Sequence, residues 1–359
     1  MFMDEVTKKL LDWFRGHHRH LPWRESYNPY QVWISEIMLQ QTQMDRVVPF
    51  FVRWQERFPD VMAIAEADPA ELNKYWEGLG YYSRVRNIRK CAEVILRDHG
   101  GLLPDTHQAL LALPGIGEYT AAAIMSIAFQ ADYVVVDGNV KRLFCRLFDL
   151  DQPVKEPAVH EFCRQKGLEL LPKGGAREYN QALMELGALV CRPGQPDCGI
   201  CPLVDSCLSL ARGTVPQRPI PSRPQSLIPM NLVVAVILCE GLIYIRQRPT
   251  TGRWGNLWEF PGGEMAAGET PRQTLSRAVG ADPGFIVKNV KVVGRFQTSF
   301  TKYRIVLRGY SCELPGPLPQ GIFARSQNSR WLPLAELDQY AYPSAHRQLL
   351  NHLLANSRQ

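Results

Sequence analysis

Residues 191–207 read CRPGQPDCGICPLVDSC and set Cys191, Cys198, Cys201 and Cys207 in the pattern Cys-x6-Cys-x2-Cys-x5-Cys. Thiolate sulfur is a soft ligand suited to zinc or to iron–sulfur centres, and one short loop bearing four thiolates can wrap such a group without help from elsewhere. Tetrahedral zinc suits a CxxC pair as well, so the spacing alone leaves the two open. Two disulfides are the competing reading. Against them, the remaining cysteines, Cys91, Cys145, Cys163, Cys239 and Cys312, stand singly in apolar stretches. Their number is odd, which suits a reducing compartment. The chain opens MFMDEVTKKLLDWF, charged throughout and amphipathic, so no secretory signal is expected. No run of the roughly eighteen apolar residues needed to cross a bilayer occurs, which argues against a membrane partner.

The composition changes sharply a few residues beyond this loop. Residues 214–229, TVPQRPIPSRPQSLIP, hold Pro216, Pro219, Pro221, Pro224 and Pro229, with Arg218 and Arg223 between them. Such a stretch resists both helix and central strand, and is expected to be a semi-rigid extended tether over 213–229. Before it, helical periodicity runs over 4–15, 30–57, 69–77, 84–98, 107–129, 139–148, 156–171 and 178–191. After it, MNLVVAVILC (230–239), GLIYIRQR (241–248), VKVVGRFQTSF (290–300) and KYRIVLRGYSC (302–312) read as strands, with helices near 271–279 and 344–355. The expectation is a multidomain chain: an all-α domain over 1–212, the linker, and an α+β domain over 230–359. The 359 residues are 45% apolar, ample for two cores, and the net charge of +6 leans towards a polyanionic partner.

Within the helical part lies LPGIGEYTAAAI, residues 113–124. Gly115 and Gly117 permit a sharp turn between two helices, and the second helix begins with free backbone N–H groups directed outward. Such a hairpin suits a phosphate, although an ordinary helix–helix turn has the same appearance. Two carboxylates accompany it. Glu36 is the only charge in the octet VWISEIML, where burial would raise its pKa and keep it a proton donor near neutrality. Asp137 ends the run YVVVD just before the helix NVKRLFCRLF, an N-cap position whose amides would favour its ionised form and lower its pKa. A neutral acid beside an ionised carboxylate is the arrangement that cleaves glycosidic bonds through oxocarbenium-like transition states. A partnered core glutamate and a plain helix cap are the bland alternatives.

The hairpin, the downstream VDGNVKRL (136–143) and the four-cysteine loop resemble the helix-hairpin-helix DNA glycosylases of the endonuclease III superfamily. RHLPWRE (19–25), WISEIMLQQTQ (33–43), GLGYYSRVRN (78–87) and the presence of a second domain are similar to the MutY adenine glycosylases within it. The resemblance covers nearly the whole chain. It implies a 4Fe-4S cluster on Cys191, Cys198, Cys201 and Cys207. It implies Glu36 as the acid that protonates adenine N7, and Asp137 as the carboxylate that stabilises the sugar cation or bonds to it transiently. Tyr119 and Asn139 would flank them, with Arg19, Trp23 and Gln181 lining the adenine pocket. Gln41, Thr42 and Tyr81 would enter the base stack opposite a flipped nucleotide, and Gly115 and Gly117 would hold a phosphate. Bifunctional relatives carry a lysine nucleophile in the slot filled here by Tyr119; a phenol forms no Schiff base, so the strand should stay intact.

The second domain resembles a Nudix fold. Gly262, Gly263, Glu269, Arg277, Val279, Gly284 and Phe285 occupy the frame of its metal-binding box, but three acidic slots hold Ala278, Ala281 and Asp282. A divalent ion bridging phosphates needs more oxygen ligands, so pyrophosphatase activity is disfavoured and a lesion-reading role is expected. The resemblance departs at one place: Phe-Ser-His in the family is Phe300-Thr301-Lys302 here, keeping a hydroxyl and replacing a planar ring by a flexible cation. The functional expectation is a monomeric, cytoplasmic, nucleoid-associated bacterial enzyme that excises adenine opposite 8-oxoguanine or guanine in double-stranded DNA. A thymine or other mismatch glycosylase of the same fold is the alternative, and a non-enzymatic DNA-binding module the third reading.

Overall fold

The computed structural model describes residues 2–222, 226–281, 285–318 and 328–357. Two compact units emerge: Met1–Ala67 with Arg86–Pro224, and Asp68–Val85 with Gln225–Gln359. An eighteen-residue piece of the helical part of the sequence thus belongs to the C-terminal unit.

The described helices up to residue 211 are α1 (Phe2–His17), α2 (Pro29–Leu39), α3 (Met44–Arg57), α4 (Val61–Glu66), α5 (Pro69–Trp76), α6 (Ser83–His99), α7 (His107–Leu111), α8 (Glu118–Ala123), α9 (Gly138–Leu147), α10 (Pro157–Leu170), α11 (Ala176–Leu189) and α12 (Leu208–Ala211). The expected single helix over 30–57 is two helices. The apolar spacing runs on across residues 40–43, but Gln41 takes a left-handed φ of 56° and Gln43 is extended, and no helix passes through either. Asn28 caps α2 by accepting the Tyr30 N–H, and Pro29 fits the first turn, where no donor is needed. Phe14 and Leu10 of α1, Phe144 of α9, and Tyr179, Leu183 and Leu186 of α11 form one buried core. That core fixes the helices that carry the site.

The run 133–136 has no sheet neighbour among the described residues and is pinned by one side chain. Buried Asn180 of α11 accepts the Val135 N–H and donates to the Tyr133 carbonyl, at 2.8 Å each. One amide replaces a ladder partner and delivers Asp137 to the start of α9.

Residues 213–222 are no free tether. They contain a 3-10 turn at Val215–Gln217, and the Val154 N–H donates to the Ile220 carbonyl. The proline-rich segment also ends earlier than its composition suggests, because strand β1 begins at Ile228 and includes Pro229. The Ile228 N–H donates to Lys302 on one side; the Pro229 nitrogen faces the other, where pairing begins only at Leu232.

The C-terminal unit is a sheet between two helices. Strands β1 (Ile228–Cys239), β2 (Leu242–Gln247), β3 (Trp258–Glu259), β4 (Gly262–Glu264), β5 (Lys288–Phe300), β6 (Tyr303–Glu313) and β7 (Ser329–Leu332) lie in the order β3-β2-β1-β6-β5, with β4 on β1 and β7 on β2. β1 and β6 pair in parallel; β5 and β6 form an antiparallel hairpin closed by the pair Phe300–Tyr303. Val233, Ala235 and Ile237 face α13 (Pro271–Ala281), while Val234 and Val236 face α14 (Ser344–Asn356). Both faces of β1 are covered, which explains its continuous apolar run.

Candidate active site

A cavity of about 1160 Å³ in the helical unit brings together eleven residues singled out from sequence: Arg19, Trp23, Glu36, Gln41, Thr42, Gly115, Gly117, Tyr119, Asp137, Asn139 and Gln181. Glu36 projects from α2, all of whose residues from Val32 to Met38 are buried. Burial pushes its carboxyl up to about 7, opposed by a hydrogen bond from Tyr119 and reinforced by the charge of Asp137. The Tyr119 hydroxyl donates to Glu36 Oε2 at 2.8 Å and lies 3.9 Å from Met184 Sδ.

Asp137 caps α9 as expected: Oδ1 accepts the Val140 N–H at 2.7 Å, and Oδ2 accepts from Asn139 Nδ2 at 2.8 Å. The expected lowering of its pKa is not what the site produces. Burial raises the Asp137 carboxyl above its ordinary value, and the amides of Val140 and Asn139 only offset part of that cost. The cap supplies geometry, and desolvation dominates the charge. Asn139 Oδ1 accepts from Arg142 Nη2 at 2.9 Å, and Arg142 also donates to the carbonyls of Gly187 and Cys191. The carboxylate therefore rests on a continuous hydrogen-bonded chain.

The two hairpin glycines differ in kind. Gly115 has φ 82°, and a Cβ there would lie 2.6 Å from Asn87 Cβ, so no other residue fits. Gly117 is extended, with φ −105° and ψ −179°, and a Cβ would meet nothing within 4 Å. The turn itself requires Gly115, while Gly117 leaves the wall of the cavity bare.

Sequence reasoning missed Glu185. It is buried at the cavity edge and accepts from Arg19 Nε at 2.8 Å, Arg19 Nη2 at 3.0 Å and Arg24 Nη2 at 3.2 Å. Burial would raise its carboxyl, but these two arginines hold it at about 2. Arg19 thus reaches the cavity with its guanidinium already engaged. Gln181 Nε2 is tied to the Arg177 carbonyl at 3.0 Å. Contacts between residues some 160 positions apart leave no local signal.

The four loop cysteines line one void together with Leu143, Leu147, Val190 and Leu203. Among the described residues, no three His, Cys, Asp or Glu side chains converge tightly enough to hold a single metal ion. A soft donor set around an apolar space, with the Leu203 amide aimed at Cys201 and Arg146 Nη1 3.4 Å from Cys191 Sγ, fits a thiolate-held iron–sulfur cluster, whose cysteine sulfurs would accept such hydrogen bonds.

The remaining four site residues fall in the C-terminal unit. Phe300 and Tyr303 close the β5–β6 hairpin, with Thr301 and Lys302 at its tip. Thr301 has φ 52°, an outlier for a β-branched side chain. The Phe300 ring lies 5.2 Å from that of Trp254 and 6.2 Å from that of Tyr81. In the box of the Nudix-like fold, Glu269 is committed to structure: it takes a bidentate pair from Arg277 and accepts from the Ala266 N–H and the Thr274 hydroxyl. Asp282 and Gly284 lie outside the described residues. With alanine at 278 and 281, this donor set does not fit a phosphate-bridging divalent ion.

Residues 34–166 match the HhH-GPD superfamily of base excision DNA repair proteins, and residues 233–352 match the NUDIX domain. The structure titled as a thermostable thymine-DNA glycosylase is similar with a TM-score of 0.54 and 27% identity, covering 59% of this chain and 97% of that one. Fold and site together define a base-excision DNA glycosylase of the endonuclease III type carrying a Nudix-like second domain. The adenine DNA glycosylase of Buchnera aphidicola is 34% identical over 70% of this chain and 72% of its own length, and that of Homo sapiens 30% identical over 96% and 74%. The chain belongs to the MutY-like adenine DNA glycosylases. It is an enzyme of base excision repair that acts on DNA to remove adenine.

Proposed function

We propose that the enzyme excises adenine paired with 8-oxoguanine or guanine in double-stranded DNA, and that it works as a monomer and leaves the strand uncut. The observation that carries this reading is the pairing of carboxyls in one cavity: Glu36 held near neutrality beside Tyr119, and Asp137 fixed by its cap and by Asn139. Adenine turned out of the helix enters among Arg19, Trp23 and Gln181. Glu36 delivers a proton to N7 and makes the base a neutral leaving group. Asp137, ionised, stabilises the cation that develops on the sugar. Water completes the reaction, since Tyr119 stands where a lysine would attack. Thymine has no N7, which favours adenine over the mismatch-thymine alternative.

Gln41, Thr42 and Tyr81 fill the space left in the stack, Gly115 and Gly117 receive the backbone phosphate, and Phe300, Thr301 and Lys302 read the base opposite. Cys191, Cys198, Cys201 and Cys207 hold a 4Fe-4S cluster. When bound, the cluster supplies a rigid anchor for the loop, and no step of base release uses it. Purified protein should contain about four irons per chain; zinc in its place would reject that assignment.

The reading is tested with single-turnover kinetics on otherwise identical duplexes bearing A:8-oxoguanine, A:G, A:T and T:G. Release from the first two, with strand breaks appearing only after alkali, is the expected result. Comparable release of thymine, or strand cleavage without alkali, would overturn it.

A further inference from the structure

We propose that the ion pair between Glu77 and Arg347 is a positioning device that mounts the loop bearing Tyr81 on the unit that bears Phe300, Thr301 and Lys302. The inference rests on the reading that Tyr81 enters the base stack and that the β5–β6 hairpin reads the opposite base.

Glu77 follows α5 directly and is nearly enclosed. Its Oε1 accepts from Arg347 Nε at 2.7 Å and from the Tyr342 N–H at 2.8 Å; its Oε2 accepts from Arg347 Nη2 at 2.7 Å and Lys74 Nζ at 3.0 Å. A bidentate guanidinium pair fixes direction as well as distance. Arg347 stands on α14, whose Leu349 and Leu350 fill the sheet core with Ile305 and Leu307 of β6. Motion of Glu77 is therefore tied to the strand that forms one arm of the hairpin.

The loop beyond Glu77 is built to be stiff. Gly78, Gly80 and Tyr81 have φ of 110°, 73° and 48°. The Trp76 indole donates to the Gly80 carbonyl at 3.0 Å, and Arg84 Nη2 donates to Leu79 and Gly80 at 3.0 and 3.1 Å. The Arg84 guanidinium lies over both the Trp76 and Tyr81 rings. A non-glycine residue in the left-handed region persists only where its surroundings over-determine it, and such strain concentrates at functional positions. Tyr81 meets Phe300, and Phe300 meets Trp254. The aromatic that enters the stack and the hairpin that reads the base consequently share one mount.

The test uses full-length protein with Glu77→Gln, Arg347→Lys, Tyr81→Ala and the double variant Glu77→Gln/Tyr81→Ala. Glutamine keeps an acceptor for the Tyr342 N–H and loses the charged pair; lysine keeps the charge and loses the fork. Single-turnover rates on A:8-oxoguanine and A:G duplexes are scaled to active enzyme. Glu77→Gln and Arg347→Lys should each reduce the ratio of the two rates by roughly ten- to a hundredfold, the scale of a small misplacement. The rate on A:G should fall by less than the rate on A:8-oxoguanine, because only the latter also needs the base-reading hairpin in register with Tyr81. The double variant should be no worse than Tyr81→Ala, because Glu77 acts through Tyr81. An unchanged ratio in both single variants, or effects that multiply in the double, would overturn the proposal.

Stack entry is also followed with 2-aminopurine beside the site, which reports on either duplex. A wild-type enzyme with equal rates on the two duplexes would sink the lesion-preference reading by itself. The mount would then stand or fall on whether Glu77→Gln weakens the 2-aminopurine signal as Tyr81→Ala does.

Discussion

The Tyr119 hydroxyl donates its proton to Oε2 of Glu36 at 2.8 Å, so the phenol stabilises the ionised form of the very acid that has to deliver a proton. Burial outweighs it and leaves Glu36 at about 7. The contact trims the shift to a value at which about half of the acid is protonated in neutral solution and the proton is readily exchanged. The wild-type rate of base release should fall on the alkaline side through about pH 7 as Glu36 ionises. It should also fall on the acid side as Asp137 takes up a proton, at a pH above the ordinary aspartate value. Tyr119→Phe removes the contact that favours carboxylate, and the alkaline limb should move to higher pH. A single-turnover pH profile of the two proteins checks this; an unmoved limb would detach Tyr119 from the acid.

The same burial has a cost in stability. Glu36 binds its proton more tightly in the folded state than in the unfolded chain, where its pKa is near 4.5. Stability is therefore lost as pH rises from that value through about 7 and stays low above it. Glu36→Gln, uncharged throughout, should be more stable than wild type at pH 8 by up to about 3 kcal/mol and closely similar at pH 4. Denaturant midpoints at the two pH values measure the difference, and a destabilised variant at pH 8 would contradict the desolvation argument. The variant should be inactive, because the transferable proton is gone.

Thr301 holds a backbone conformation unfavourable to a β-branched residue at the tip of the β5–β6 hairpin. If its hydroxyl reads the oxidised base, Thr301→Ala should slow adenine removal opposite 8-oxoguanine more than opposite guanine, by roughly 1–3 kcal/mol of discrimination. Lys302→Ala, if the cation meets only phosphate, should weaken both duplexes alike and reduce the salt dependence of binding. Rates on the two duplexes decide between these roles, and equal losses for Thr301→Ala would place lesion reading elsewhere.

Local chemistry made much of the molecule legible in advance. A lone charge in VWISEIML announced a buried acid, and Asp137 before a helix announced a cap; both signals are written in a few neighbouring residues. Strands β1, β2, β5 and β6 of the second unit are equally plain, β1 above all because a parallel central strand buried on both faces must be apolar throughout, whereas the short β3, β4 and β7 carry too few residues to show an alternation. What escaped was long-range. Glu185 looks like any helical glutamate until Arg19 and Arg24 are folded onto it. The apolar rhythm of 30–57 conceals a break that only the polar residues 40–43 betray. The direction of the Asp137 shift escapes for a related reason: the capping amides are adjacent in sequence, whereas the burial that outweighs them exists only in the folded site. Membership of 68–85 in the C-terminal unit is long-range as well, with Glu77 meeting Arg347, 270 residues away.

The central claim is that Asp137, as a carboxylate, stabilises the transition state for base release while its cap merely holds it in place. Asn is as good a helix cap as Asp, so Asp137→Asn should leave the fold and α9 intact. The decisive measurement is the single-turnover rate of adenine release from an A:8-oxoguanine duplex by this variant, under conditions where binding is shown to be saturated. The account predicts wild-type affinity with release slowed by about a thousandfold or more. Release within about tenfold of wild type would contradict it.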